Sequence, residues 1–289
     1  MTTQVFLIQA HKDIGQLNAL VETLRDDDFV VYVNLDRKCA LDPAAVHPAA
    51  RLVRERVDVH WGTFSQVQAV LNSLRQIVAE VPAFDKLLFM SAQDFPLLSN
   101  QALKCELAAL SGRELLDTVA IGAAPGQWAA DYRYQYFYPE QSTRGRRLAC
   151  ALANRLMRAG GLRRRMPGGL QPWGGSSWWA LSRDCVRMLL ARVEREPGLL
   201  RFFSKVACPD EMFFQTLVMN SPFRERVLGN NFRYVQWPEH GARNPKVLDE
   251  GDFARIAASR AHFCRKLDSQ ASASLLPRLL ALRGGVVSA

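Results

Sequence analysis

The sequence predicts an α/β protein whose mainly parallel central sheet is flanked by helices. Three observations lead there. Short apolar runs of strand length alternate with stretches of helical spacing through the first hundred residues. Polar residues gather just beyond those runs, at Gln9–His11, Asp36 and Asp94, where ligands bind in open α/β sheets. No internal repeat or low-complexity linker breaks the pattern over 289 residues.

Val5 to Ala10 suits a buried strand, and Ile14, Leu17, Leu20, Val21 and Leu24 then recur at helical spacing. Phe29 to Leu35 is a second β-rich run ending in Asp36-Arg37-Lys38, and Val57 to His60 reads as a weaker strand. Phe64 to Val81 has apolar residues on one helical face, with Ser65 near its start as a candidate cap. Lys86 to Met90 is a further buried strand running into Ser91-Ala92-Gln93-Asp94-Phe95-Pro96. In the second half, Tyr132, Tyr134, Tyr136, Phe137 and Tyr138 form an aromatic run of strand-like period. Ser177 to Leu181 reads as a strand, Ser182 to Val193 as a helix capped by Ser182, and Asp210–Val218 and Asp252–Ser259 as short helices. A single domain over 1–270 is expected, in two halves at about 1–120 and about 121–270, followed by a basic-apolar tail at 271–289.

Nearly half the residues are apolar and about a fifth are charged, which excludes a disordered chain. No apolar run reaches the roughly 20 residues of a membrane span. The start, Met1 to Ile8, has no basic flank or cleavage site, so a cytoplasmic location is expected. Six scattered cysteines without ligand spacing predict free, mostly buried thiols and no metal site. The net charge of +9 calls for an anionic partner, and the excess is local: Arg144 to Arg165 holds eight arginines and no acid.

The sharpest local feature is Cys208-Pro209-Asp210-Glu211. Its acids either just complement a helix N-terminus or place Glu211 as a general base that deprotonates an attacking hydroxyl. Displacement at a single centre needs one such base and no covalent nucleophile. A second feature is the run of Arg243 and Lys246, Asp252-Phe253, and Phe263-Cys264-Arg265-Lys266-Leu267-Asp268. Arg243 and Lys266 are either solvated cations or the fixed charges that neutralise a leaving diphosphate.

Taken in order, these segments resemble the core-2/I-branching enzymes, β-1,6-N-acetylglucosaminyltransferases related to the peptide O-xylosyltransferases. The likeness rests on Ile8-Gln9-Ala10-His11-Lys12, Asn34 to Lys38, His60-Trp61-Gly62-Thr63-Phe64-Ser65, Asp94-Phe95-Pro96, Ser177 to Arg183, Pro209-Asp210-Glu211 and Phe263 to Asp268. The resemblance implies a GT-A type glycosyltransferase fold, an inverting transfer from a UDP-sugar, most naturally GlcNAc, and no metal cofactor. It assigns Asp36 to the uracil with the Ile8 backbone beside it, Glu211 to the base, and Lys266 with Arg243 to the diphosphate. Asp94 stands where metal-dependent relatives keep an Asp-x-Asp, here without a second acid, and either positions the donor sugar or braces its loop. Trp237 matches a tryptophan near the acceptor. The family's acceptor-binding Lys and Arg are absent at the matching Ala124 and Gln127. The segment between Trp237 and Arg243 is shorter than in animal members, and their anchor and disulfides have no counterpart here. A bacterial member that builds a surface glycan fits these features.

His11 follows a strand, either as a donor-phosphate contact or as a structural residue. Trp128, Tyr134, Trp173 and Trp237 are candidate acceptor-stacking residues, against core packing as the alternative; Trp179 and Tyr136 are expected in the core. Leu148, Leu152, Leu156 and Met157 recur at helical spacing among the arginines, so 144–165 is either a solvated basic face or a peripheral contact with the anionic inner membrane. Two rival readings are a UDP-xylose-dependent xylosyltransferase and a non-catalytic binding module using 144–165. No nucleic-acid module accompanies the basic segment, so a nucleic-acid partner is not expected.

Overall fold

The computed structural model describes residues 2–122, 124–139, 144–238, 242 and 244–285. It has the α/β architecture and mainly parallel sheet expected. The chain divides into two compact units built from non-contiguous stretches, residues 1–53, 83–112 and 231–289 in the first, and 54–82 and 113–230 in the second. A division near residue 120 therefore does not separate them: 54–82 joins the later half, and 231–289 returns to the earlier one.

In the first unit, β1 (Gln4–Ala10) lies between β2 (Phe29–Leu35) and β4 (Lys86–Ser91), parallel to both, and β3 (Ala50–Leu52) extends the sheet beyond β2. Such a central strand is covered on both faces, which is why Val5, Phe6, Leu7 and Ile8 form an unbroken buried run. Helix α1 (Ile14–Thr23) follows β1, its Asp13 side chain capping the Gln16 N–H at 3.1 Å, and buries Leu17, Leu20 and Val21. The strand expected at Val57–His60 is absent; β3 occupies that role earlier, paired with Val31–Val33. A small second sheet, β5 (Asp94–Pro96), β10 (Phe263–Arg265) and β9 (Arg233–Val235), brings the chain's late residues back to this unit. Its core includes Phe95, Leu248, Ile256, Leu267 and, from the tail helix α10 (Leu275–Arg283), Leu275 and Leu279.

The second unit centres on α2 (Phe64–Glu80), α6 (Arg183–Arg195) and α8 (Phe213–Met219). Its aromatic core packs Phe213 edge-on to Phe64 and Phe203, and Trp179 against Phe214 at 5.2 Å, so Trp179 is core as expected. Ser182 caps α6 through the Cys185 N–H at 3.3 Å. Ser65 does not cap α2; the helix follows Thr63, and the Ser65 hydroxyl accepts the His60 N–H at 2.8 Å. The aromatic run starts as a helical turn, α4 (Tyr132–Gln135), and not as a strand. The N–H groups of Tyr134 and Gln135 both turn back to the Asp131 carbonyl, so no ladder forms. Tyr136, expected in the core, is half-buried beneath the Arg158 guanidinium.

All six cysteines are free, but only Cys185 and Cys264 are buried, contrary to the expectation of mostly buried thiols. Cys105 and Cys150 lie on helix positions that are exposed and half-exposed. No described helix is long and apolar enough to cross a membrane.

Candidate active site

Pro209–Glu211 forms a tight 3-10 turn ahead of α8, so Asp210 and Glu211 sit in a loop and not in the first turn of an α-helix. Pro209 suits the opening position because it has no N–H to satisfy. Cys208 enters the turn in the left-handed region, φ 47°, and its N–H donates to the Gly62 carbonyl at 3.0 Å. On the other side the Gly175 N–H donates to the Glu211 carbonyl at 3.0 Å. A Cβ at Gly175 would lie 2.0 Å from the Asp117 carbonyl oxygen, so only glycine brings its main chain this close. The main chain of Glu211 is thus clamped, and its side chain, about a third exposed, is left to a partner.

That partner is Arg133, whose Nη1 donates to Glu211 Oε2 at 2.5 Å. The guanidinium lies over the Trp128 ring, 4.2 Å from its centroid, which fixes the plane of the fork. Burial pushes the Arg133 pKa down, and the bond and charge of Glu211 more than restore it, so it is raised. Sequence reading assigned Arg133 no role; 78 residues separate it from Glu211, and its only local signal is a cation following Trp128. Trp61, exposed and next to the Gly62 that anchors Cys208, likewise received no site role.

Asp210 has a different partner. Its Oδ2 accepts the Ser177 hydroxyl at 2.7 Å, while Oδ1 is buried without a hydrogen-bond partner among the described residues. Burial first, then the neighbouring Glu211 charge, raises its pKa to about 6. Burial and the same two acids push the Cys208 thiol up to about 11, so it stays a thiol.

The aromatic candidates divide. Trp128 packs on Gly174, where a Cβ would stand 2.6 Å from its ring, and carries Arg133 on its face. Trp173 in β7 (Trp173–Gly174) is half-buried, with its indole N–H buried and without a hydrogen-bond partner among the described residues. Its main chain exchanges bonds with the Thr216 hydroxyl. Tyr134 is half-buried and lines a depression with Gln135, Arg163, Met166 and Leu170.

In the first unit, cations collect at the carboxyl ends of β1 and β2. The Asp36 carboxylate is buried and accepts the Lys38 ammonium at 2.8 Å and its N–H at 3.1 Å. Partial burial and Lys12 push the His11 pKa down, opposed by Asp36, with Lys266 and Lys38 adding to the fall, so His11, Asp36, Lys38 and Lys266 share one electrostatic environment. Lys266 is half-buried and donates no side-chain hydrogen bond among the described residues; burial and then Arg265 and Lys12 lower its pKa. Lys12 instead pairs with Asp268 at 3.1 Å.

Other expected donor residues stand differently. Ile8 lies inside β1, flanked by Val33 and Met90, so its side chain is buried and its main chain sits within the ladder; the strand end two residues on is the open position. Asp94 is buried, accepts the Ser91 N–H at 2.7 Å and pairs with Arg265 at 3.3 Å, with Arg233 Nε 3.8 Å away. Of its two expected roles, this geometry serves the loop brace. Trp237 is exposed on the loop after β9, and Arg243 lies outside the described residues. Among the described residues no three His, Cys, Asp or Glu side chains gather in a metal-binding group.

A parallel α/β unit with cations at its strand ends, together with a clamped and paired carboxylate in the second unit, has the make-up of a group-transfer enzyme. The Core-2/I-Branching enzyme family model matches residues 5–257, and the chain belongs to this family. Xylosyltransferase 2 of Canis lupus familiaris is 25% identical over 242 residues, covering 80% of this chain and 26% of its own length. Xylosyltransferase oxt of Drosophila melanogaster is 25% identical over 233 residues, covering 78% and 25%. Xylosyltransferase sqv-6 of Caenorhabditis elegans is 23% identical, covering 75% and 28%. The chain thus spans about a quarter of the length of these relatives. Among solved structures, a 4-diphosphocytidyl-2C-methyl-D-erythritol synthase from Anaerococcus prevotii superposes with a TM-score of 0.33 at 10% identity, covering 68% of this chain and 76% of that one, an overlap too slight to carry an inference.

Proposed function

We propose that this protein transfers a sugar, with inversion, from a UDP-sugar to a hydroxyl of a glycan or glycolipid, using Glu211 as general base. The observation that carries this reading is the Arg133–Glu211 pair on the clamped Pro209–Glu211 turn, supported by the family to which the chain belongs. A base must be ionised and held within hydrogen-bond reach of the proton that it takes. Arg133 occupies Oε2, and Oε1 accepts no hydrogen bond among the described residues, which leaves it for the acceptor hydroxyl. The sugar hydroxyl then attacks the anomeric carbon, its proton passes to Glu211, and the bond to the diphosphate breaks on the opposite face.

The departing UDP carries the negative charge away. Lys266, which donates no side-chain hydrogen bond among the described residues, meets that charge as a point cation, with Arg243 as its partner, and no metal is needed. Asp36 reads the uracil, and His11, whose neutral form is favoured, contacts the donor phosphates. Trp128, Tyr134, Trp173 and Trp237 supply the acceptor surface. The branching family favours UDP-GlcNAc and a β-1,6 linkage. The second reading is UDP-xylose, favoured by the names of the xylosyltransferase relatives.

Calorimetric titration of UDP, UDP-GlcNAc and UDP-xylose, with EDTA present, tests the donor side. Binding with preference for one sugar is expected, weakened by Lys266→Ala and unchanged by Glu211→Gln. Turnover in EDTA should vanish in Glu211→Gln. A strict need for Mn²⁺, or full turnover by Glu211→Gln, would overturn the mechanism.

A further inference from the structure

Helix α5 (Arg144–Ala159) turns one half-buried face to the second unit. Asn154 clamps the Phe137 main chain, accepting its N–H and donating to its carbonyl, both at 2.8 Å. Cys150, Ala153 and Met157 share that half-buried face, at the spacing expected of one side of a helix. Among the described residues nothing covers the other face: Leu148, Leu152 and Leu156 are 71%, 60% and 63% exposed, and Leu162 beyond the helix end is 63% exposed.

At about 100° per residue, the three leucines form a stripe about 80° wide. Gly145 and Ala159 fall within it and Ala149 lies beside it, and Arg144, Arg147 and Arg155 run along one side, with Arg158 stacked on Tyr136. Arg164 is not part of this surface. It turns inward to the carbonyls of Tyr136, Lys205 and Phe202, and burial brings its pKa down to about 10.

We propose that this face of α5 docks in the plane of an anionic lipid bilayer, leucines in the acyl boundary and arginines among the headgroup phosphates. Charge complementarity selects this occupant. A nucleic acid would meet the arginines and leave the leucines wet. A second copy would bring cations against cations, because no acid lies between residues 144 and 165 to pair with them. An amphipathic cationic helix satisfies both stripes only at an interface that is apolar below and negative above. The inference is independent of the transferase reading.

The test is co-sedimentation of the full chain with vesicles of phosphatidylcholine alone or with phosphatidylglycerol added. Binding to the anionic vesicles only is expected, falling as salt is raised. Leu148→Ser/Leu152→Ser/Leu156→Ser should weaken it by about ten-fold or more, and each of Arg144→Gln and Arg155→Gln by about five-fold. These exposed positions should leave UDP affinity and the melting temperature unchanged. Arg195→Gln, on another helix, is the control for bulk charge. Failure of wild type to bind phosphatidylglycerol vesicles, equal binding by the triple variant, or a dimer in solution dispersed by the leucine changes would each overturn the proposal. So would DNA binding that persists in the triple variant while vesicle binding is absent.

Discussion

Replacing Arg133 by methionine removes the cation from Glu211 while keeping an unbranched side chain against Trp128. The bond removed is short, 2.5 Å, with the Arg133 side chain 14% exposed and that of Glu211 34% exposed. A hydrogen bond to a charged group contributes about 1.5–3 kcal/mol, and partial exposure of Glu211 lowers the effective figure to about 1–2 kcal/mol. If that energy holds the base in its reacting position, kcat/KM falls by about 5- to 30-fold. UDP affinity should not change. Arg133→Lys should restore the rate only in part, since lysine returns the charge without the planar fork stacked on Trp128. The assay is UDP release, with calorimetry of UDP alongside. An Arg133→Met enzyme with wild-type kcat/KM would refute the assignment of Arg133 to the base.

Gly175→Ala would place a methyl 2.0 Å from the Asp117 carbonyl, so the main chain must shift at a cost of about 1–3 kcal/mol; thermal melting should fall by several degrees and turnover with it. Asp94→Ala removes the buried carboxylate that pairs with Arg265 and should destabilise by about 3–5 kcal/mol, read by urea denaturation, with UDP binding lost only as unfolding sets in. Asp210 sets a pH dependence of stability. Its folded pKa of about 6 lies above the roughly 3.9 of an unfolded chain, so the folded state prefers it protonated. The stability associated with that proton is complete below about pH 4 and is lost as pH rises through about 6, a change of up to about 3 kcal/mol. Asp210→Asn should therefore match wild type at pH 4 and exceed it at pH 7 in denaturant melts; equal stability at both would refute the buried, partly unpartnered carboxyl.

The features that sequence reading placed correctly are local ones. The strand at Phe29–Leu35 and the helix cap at Ser182 follow from a few adjacent residues and their period. Pro209 opens a 3-10 turn, and the helix expected from Asp210 begins only at Phe213. The Tyr132–Tyr138 run shows where period alone misleads: alternating aromatics suit a strand, but no neighbouring strand was there to complete the ladder, and hydrogen bonds to Asp131 won.

Residues 4–10, 29–35 and 86–91 carry three strands of the parallel sheet in plain view, because a strand covered on both faces is largely apolar along its length and so declares itself without its partners. The chemistry at Glu211 was legible as a residue and not as a site. Arg133 reaches it across 78 positions, Arg265 reaches Asp94 across 171, and no periodicity links such pairs. The same holds for α5: its spacing announces an amphipathic helix, yet only the Asn154 clamp decides that the leucines point outward and Arg164 inward. Local spacing determines which side chains share a face. Packing between distant segments determines which face is buried, and with it which charges meet.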